Sequence, residues 1–351
     1  MSKSKLARQL LWLSTLLFFS SPSYSLGFEV NIMTGGASGT YIQIGRDVAG
    51  LTQGTGRTVN VVESAGSLEN LEAVRDRRYT QFGIVQSDVL DFVRTFRAEN
   101  AAMRRIARST RIVFPLYNEE VHIVTRKSSG IDVLAGLSGR SVGVGVANSG
   151  TNLTATFLFE VAHVRPDRLI TVSAGDALDQ LMNGTIDAFV YVAGAPTKLL
   201  QDTSASDDLK IVPVTAAELG GYYGTSIIRA GTYPWLLEDV TTAAVRAVLM
   251  TFEFDPRRND YFKQSCDAVT EVSYLIKQNL ETLKQIGHPK WNQVDLSVEV
   301  PGWERAQCVE AALDPNFQPK FVSNAPSSSP QSCSELLNPI ALQLCRMKSS
   351  N

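Results

Sequence analysis

The sequence predicts an α/β protein with a mostly parallel sheet, because short β-rich apolar runs alternate with helical patterns over residues 26–289. Between the runs, apolar residues recur at helical spacing, as at Ile44, Val48 and Leu51, and such stripes indicate the core faces of helices. The strands are expected at residues 28–33, 58–62, 82–85, 120–125, 141–144, 188–192 and 211–214.

Residues 1–25 are expected to be a cleaved export signal. Three basic residues precede an apolar stretch at residues 10–19, and Ser23-Tyr24-Ser25 offers small residues at a cleavage site. A membrane anchor is the competing interpretation, but a bilayer core needs about 20 helical residues. No Cys follows at the site where a lipoprotein would be acylated. The mature chain would begin at Leu26 and reside in the periplasm.

Charge and length narrow the class of protein. The chain has 33 basic and 35 acidic side chains, and loss of the three bases in the signal leaves a net charge of about −5. Both signs are scattered, whereas binding of a phosphate backbone needs clustered bases, so no nucleic-acid partner is expected. The roughly 325 mature residues exceed one ordinary core and indicate two lobes.

The four cysteines lie in the last quarter of the chain. In an exported protein they favour disulfides over metal ligands, and the three histidines have no ligand-like spacing, so no metal or other cofactor is expected. Four cysteines allow three pairings, and the sequence does not choose among them. Sequence proximity alone suggests that Cys266 pairs with Cys308 and that Cys333 pairs with Cys345.

Three loops share one design, in which an apolar strand leads through Gly and small hydroxyl residues into a helix. They span residues 34–41, 63–67 and 148–152. The first N–H groups of a helix lack intrahelical partners and carry partial positive charge, so such a loop can hold a carboxylate or phosphate. One such loop alone would indicate an N-cap and a tight turn. Three of them, all at strand ends, favour a ligand site.

These loops, in this order, resemble the TAXI family of solute receptors, which serve TRAP transporters. The likeness rests on residues 34–41, 63–71, 83–88, 143–145 with 149–151, 186–189 with 194–196, and 230–234. It covers residues 28–289 and implies a type II periplasmic-binding-protein fold, in which two α/β lobes are joined by two crossing hinge strands. Lobe 1 would comprise residues 26–116 and 228–289, lobe 2 residues 117–227, and residues 290–351 a C-terminal extension. The crossings would lie at residues 116–121 and 222–228.

The resemblance also implies the ligand site and the partners. The ligand would be a small carboxylate such as glutamate or 2-oxoglutarate, delivered by a monomeric receptor to TRAP-type permease subunits. Ser38 and Tyr41 would offer donors, Gln86 an amide, and Ser149, Gly150 and Thr151 would close from the other lobe. The full candidate set is Gly36, Ser38, Gly39, Tyr41, Ser64, Gln86, Ser149, Gly150, Thr151, Asn152 and Gly194.

The sequence departs from the family where Asn152 replaces a frequent Arg. An Arg fork grips a carboxylate with charged donors, whereas an Asn amide is neutral, so weaker dicarboxylate binding is expected. Either the ligand carries one anionic group that backbone N–H groups and hydroxyls hold, or a cation from elsewhere serves, for which Arg46, Arg111 and Arg229 are candidates.

Catalysis is not expected, because the sequence contains no G-x-S-x-G elbow, H-E-x-x-H motif or Walker A loop. An alternative role is a sensory or adaptor protein that reports ligand binding to a membrane partner, since one fold can serve both purposes. The cysteine-bearing tail keeps that alternative open. Residues 323–332 are expected to form a linker before an amphipathic patch at residues 336–345.

Overall fold

The computed structural model describes residues 28–96, 98–204, 208–215, 218–219, 221–319, 333 and 338–349. The expected export signal and the linker at residues 323–332 lie outside these residues. Within the described part of the chain, no helix has the length and apolar character needed to cross a bilayer.

A ten-stranded sheet runs through the protein in the order β2-β1-β3-β10-β4-β7-β5-β6, with β8 added to β4 and β9 added to β10. Neighbours at both ends of the sheet are parallel, and the pairs that involve β10 and β4 are antiparallel. The strands are Val30–Met33 (β1), Val59–Val62 (β2), Thr80–Gln86 (β3), Thr110–Arg126 (β4), Ser141–Gly143 (β5), Arg168–Ile170 (β6), Ala188–Ala193 (β7), Leu209–Ile211 (β8), Gly224–Ile228 (β9) and Val240–Phe252 (β10).

Helices connect and cover these strands. They are Thr40–Thr52 (α1), Ser67–Asp76 (α2), Ser87–Phe96 (α3), Ala101–Ser109 (α4), Gly150–Val161 (α5), Ala174–Met182 (α6), Lys198–Gln201 (α7), Asp260–Gln278 (α8), Leu280–Ile286 (α9), Gln307–Leu313 (α10) and Pro339–Ser349 (α11). In α1 the stripe of Ile44, Val48 and Leu51 is buried in the core, as its spacing predicted.

Two long strands, β4 and β10, pass from one lobe into the other. Along β4, Leu116 and Tyr117 pack in the core of lobe 1, whereas Val121 packs in the core of lobe 2. Along β10, Val245 belongs to the lobe 2 core and Ala247 to the lobe 1 core. The predicted two-lobed α/β architecture with two crossing strands is therefore confirmed.

The second crossing differs in position from the sequence-based expectation. Residues 224–228 form β9, which pairs antiparallel with the first half of β10 inside lobe 2. The chain therefore returns to lobe 1 within β10, beyond Ala244, and not at residues 222–228. No strand was predicted for β10, and its pairing with both β3 and β4 makes it central to the sheet.

The described residues of the segment expected as an extension contribute to the lobe 1 core. Trp291, Val309 and Ile340 are fully buried among the apolar side chains of that lobe. The backbone of residues 304–306 is hydrogen-bonded to Ile112 at the start of β4. Both proximity-based disulfides, Cys266–Cys308 and Cys333–Cys345, are present, and the first joins α8 to α10.

Candidate functional site

The three Gly and hydroxyl loops meet at one cavity of about 90 Å³ between the lobes. Lobe 1 contributes the loops that open α1 and α2 together with the end of β3, and lobe 2 contributes the start of α5 and the end of β7. Seven of the predicted site residues line it: Gly36, Gly39, Tyr41, Gln86, Ser149, Gly150 and Thr151. The sequence-based loops therefore share one cavity.

Four other predicted residues lie beside the cavity without lining it. Ser38 precedes α1 in a turn. Ser64 donates a hydrogen bond to the carbonyl of Thr34 and bonds the Asn70 side chain, so it braces its own loop. The Asn152 amide reaches back to the Val144 carbonyl at 3.4 Å.

Gly194, the fourth of these residues, joins the lobes through its backbone. Its carbonyl accepts a hydrogen bond of 2.7 Å from the Thr40 hydroxyl. A Cβ at position 194 would lie 2.7 Å from the Tyr117 ring and 3.1 Å from the Lys290 side chain. The position therefore needs glycine for close packing behind the cavity.

Two of the helix starts at the cavity have no side-chain cap. The N-cap positions of α1 and α2 are Gly39 and Gly66, neither of which can supply a capping side chain. Gly66 has φ of +123°, a conformation that favours glycine and lets its loop approach Ser149 of the opposite lobe. At α5 the Ser149 hydroxyl accepts from the Asn152 N–H. Partial positive charge from these starts therefore faces the cavity.

Gln86 supplies the polar group that most clearly requires a partner. Its side chain lines the cavity with only 2% of its surface exposed, and neither its Nε2 nor its Oε1 has a hydrogen-bond partner. An unpaired buried amide costs folding free energy, and such groups are rare unless a ligand or water completes them.

Glu119 is a functional candidate that the sequence analysis missed. It lines the cavity, is 2% exposed, and accepts a 2.6 Å hydrogen bond from the Tyr41 hydroxyl. Burial raises the pKa of this carboxyl well above its usual range, and the nearby Asp88 and Glu120 raise it further. The only sequence signal was a pair of adjacent glutamates within an apolar strand.

Its neighbour Glu120 points to the opposite face of β4, as strand geometry requires. There its carboxylate accepts from Lys290 Nζ at 2.7 Å, from the Ser226 hydroxyl at 2.9 Å and from the Ala195 N–H at 2.7 Å. Lys290 and Glu120 have side chains that are 3% exposed. The crossing strand thus carries one carboxyl at the cavity and one bound to a cation behind it.

Direct hydrogen bonds hold the lobes together beside the cavity. Asp88 Oδ2, in the first turn of α3, accepts from the Thr154 hydroxyl at 2.6 Å and from the Tyr223 hydroxyl at 3.1 Å, both in lobe 2. The Leu68 N–H donates to the Asn148 carbonyl at 3.2 Å. The described conformation is therefore a closed one.

The three arginines considered as substitutes for Asn152 do not line the cavity. Arg111 pairs with Glu253, Arg229 pairs with Asp239 at 2.6 Å, and Arg46 donates to the Gln43 side chain. Among the described residues that line the cavity, none is Lys, Arg or His. The described residues also contain no cluster of His, Cys, Asp and Glu that could hold a metal ion.

A family model described as the NMT1-like family matches residues 32–286, which include every element that lines the cavity. The chain belongs to the NMT1-like family. Solved structures similar to this NMT1-like protein have low sequence identity. The periplasmic binding protein BugD matches at 12% identity over 76% of this chain and 91% of that one, with a TM-score of 0.48. MatC from Rhodopseudomonas palustris with bound malate matches at 12% identity over 76% and 90%, with a TM-score of 0.48.

A third similar structure is the periplasmic aliphatic sulphonate binding protein SsuA from Escherichia coli. It matches at 12% identity over 82% of each chain, with a TM-score of 0.41.

Proposed function

We propose that this NMT1-like protein is an exported solute-binding receptor that encloses one small polar ligand between its lobes and performs no catalysis. In this proposal it acts as a monomer in the periplasm and delivers its ligand to TRAP-type permease subunits, as the TAXI resemblance implies. The ligand-binding residues would be the seven predicted residues that line the cavity, with Glu119 added.

One observation carries the proposal, namely the unpaired amide of Gln86 at the meeting point of three helix starts. A fold that needed only stability would place an apolar side chain there, because an unsatisfied buried amide is unfavourable. The amide therefore makes sense as a group that a solute completes. Two hydrogen bonds between the lobes, from the Thr154 hydroxyl to Asp88 and from the Leu68 N–H to Asn148, support a clamp that closes over that solute.

Replacing Gln86 with leucine tests this reasoning. If the amide serves a ligand, Gln86→Leu should keep or raise the melting temperature of the ligand-free protein, because no internal hydrogen bond is lost. The same variant should lose the solute that mass spectrometry detects when the purified wild-type protein is denatured. A leucine variant that retains the solute at wild-type occupancy would contradict the proposal.

Small-angle scattering provides a second test of the proposed function. The refolded, ligand-free protein should become more compact when the released solute is added back, because contacts from both lobes are available only after closure. As a control, Ser38→Ala changes a loop hydroxyl that does not line the cavity and should compact like the wild type. Unchanged scattering at saturating solute would argue against a clamp.

A further inference from the structure

The charge of the cavity indicates the class of solute, given the proposed receptor function. Among the described lining residues the ionisable groups are Glu119 and two tyrosines, Tyr41 and Tyr191. The nearest lysine, Lys290, is bound to Glu120 on the other face of β4 at 2.7 Å. An anionic group placed next to Glu119 would therefore meet a carboxyl and no compensating cation.

The surroundings of Glu119 make a second negative charge unfavourable. Tyr41 provides one hydrogen bond to Oε2, and Asp88 and Glu120 are the other carboxyl groups near it. In the closed conformation burial raises the pKa of this carboxyl and so favours its neutral form. A positively charged donor beside it would reverse this preference and stabilise the carboxylate.

The helix starts that line the cavity have the opposite character. The uncapped starts of α1 and α2 direct partial positive charge at it, which suits one carboxylate. The Gln86 amide also lines the cavity and offers both donors and an acceptor. A solute that matches the cavity carries an anionic group and a cationic donor on one small skeleton.

We propose that the cavity selects a small zwitterion, with a carboxylate at the helix starts and an ammonium group hydrogen-bonded to Glu119, and that it discriminates against dicarboxylates. On binding, the ammonium N–H donates to the Glu119 carboxylate. Glu119 is thereby the residue that determines specificity for net charge.

Calorimetry with matched probes tests this on the refolded, ligand-free protein. L-Alanine carries an ammonium group where L-lactate carries a hydroxyl, and the two are otherwise alike. Succinate serves as the dicarboxylate probe. L-Alanine should bind at least about tenfold more tightly than L-lactate, since a charge-assisted hydrogen bond replaces a neutral one.

The variant Glu119→Gln keeps the shape of the side chain and removes its ionisation. In that variant the preference for L-alanine over L-lactate should disappear. Tighter binding of L-lactate or succinate than of L-alanine by the wild-type protein would overturn the proposal. An unchanged preference in Glu119→Gln would overturn it as well.

The solute released from the purified protein separates this inference from the receptor function. If that solute is an anion that compacts the protein, the receptor function stands and the zwitterion inference fails. A zwitterionic solute supports both, including the case in which L-alanine itself is too small to bind. If no solute is released and no probe binds, both proposals fail together.

Discussion

Gln86 of lobe 1 and Gly150 of lobe 2 are in direct contact across the cleft. A Cβ at position 150 would stand only 1.3 Å from Gln86 Oε1 and 2.8 Å from the Ser67 hydroxyl. Glycine at the first position of α5 therefore lets the second lobe close on the amide. This contact connects the closed conformation with the cavity that contains the unpaired group.

The first prediction concerns that glycine. Gly150→Ala should displace the Gln86 side chain or keep the lobes apart, so the affinity for the released solute should fall by at least about tenfold, equivalent to roughly 1.4 kcal/mol. Calorimetry measures the affinity, and the melting temperature should change little because the clash arises only on closure. Gly175→Ala in α6 is the matched control, since a Cβ there meets no atom closer than 4.0 Å. Equal affinities in the two variants would contradict this reading.

The second prediction concerns pH. Burial in the closed form raises the pKa of Asp88 to about 6, with a small further contribution from Asp91, while hydrogen bonds from Thr154, Tyr223 and the Val89 N–H oppose the rise. The closed form therefore holds a proton more tightly than an open form in which water solvates the carboxyl. Closure of the ligand-free protein should be favoured below about pH 4 and lose that advantage as the pH rises through 6.

Small-angle scattering between pH 4 and 7.5 checks the effect. The pH response should be reduced in Asp88→Asn, and the raised pKa of the nearby Glu119 carboxyl should leave a residual response of the same sign. Expansion of the wild-type protein as the pH falls would have the wrong sign and would refute the assignment to Asp88.

The third prediction concerns the buried ion pair behind the cavity. Lys290→Met leaves the Glu120 carboxylate without its cation, which should reduce the free energy of unfolding by about 3–5 kcal/mol. Adding Glu120→Gln should recover part of that loss, because it removes the unpaired charge. Urea unfolding measures both variants.

Its control is Lys198→Met, which removes an exposed pair in which Lys198 and Asp202 are 58% and 60% exposed. That change should alter the unfolding free energy by less than about 1 kcal/mol. If both lysine variants lower the free energy of unfolding by the same amount, the buried Lys290–Glu120 pair contributes no more to stability than an exposed pair.

The fourth prediction compares the disulfides. Cys266–Cys308 closes a sequence separation of 42 residues and Cys333–Cys345 one of 12. The loss of loop entropy in the unfolded chain predicts that the first disulfide stabilises the fold by about 4 kcal/mol and the second by about 3 kcal/mol. Cys308 is 2% exposed in the lobe 1 core, so the double alanine variant of the first pair also loses packing. Thermal unfolding should show the larger loss for that pair, and the reverse order would contradict the account.

Several elements could be predicted because their signals are local. The stripe on α1 depends on helical spacing alone, and the loops before α1 and α5 depend on Gly and hydroxyl residues at strand ends. β10 was missed because its run of Ala, Val, Leu and Met fits a helix as well as a strand, and it is fixed as a strand by pairing with β3 and β4. Pairing partners more than a hundred residues away leave no mark on local sequence.

The residues of the candidate site also divide into those with a local sequence signal and those that only the folded lobes reveal. Gln86 could be identified because an amide ends an apolar strand, whereas Glu119 lies within a strand where only the assembled lobes decide which face meets the cavity. Ser64 was expected at the ligand and bonds its own loop instead, because Thr34 and Asn70 lie within reach. A hydroxyl that braces a loop and one that binds a ligand have the same sequence signature.

The sequence by itself determined the α/β class and the helix-opening loops, since each depends on residues that are close in the chain. The tertiary structure alone decided that β10 carries the second crossing, that residues 290–319 complete lobe 1, and that Glu119 faces the cavity while Lys290 is held behind it. Those outcomes depend on which distant segments become neighbours. Their physical basis is the burial of charge and of backbone hydrogen bonds, which exists only once both lobes have formed.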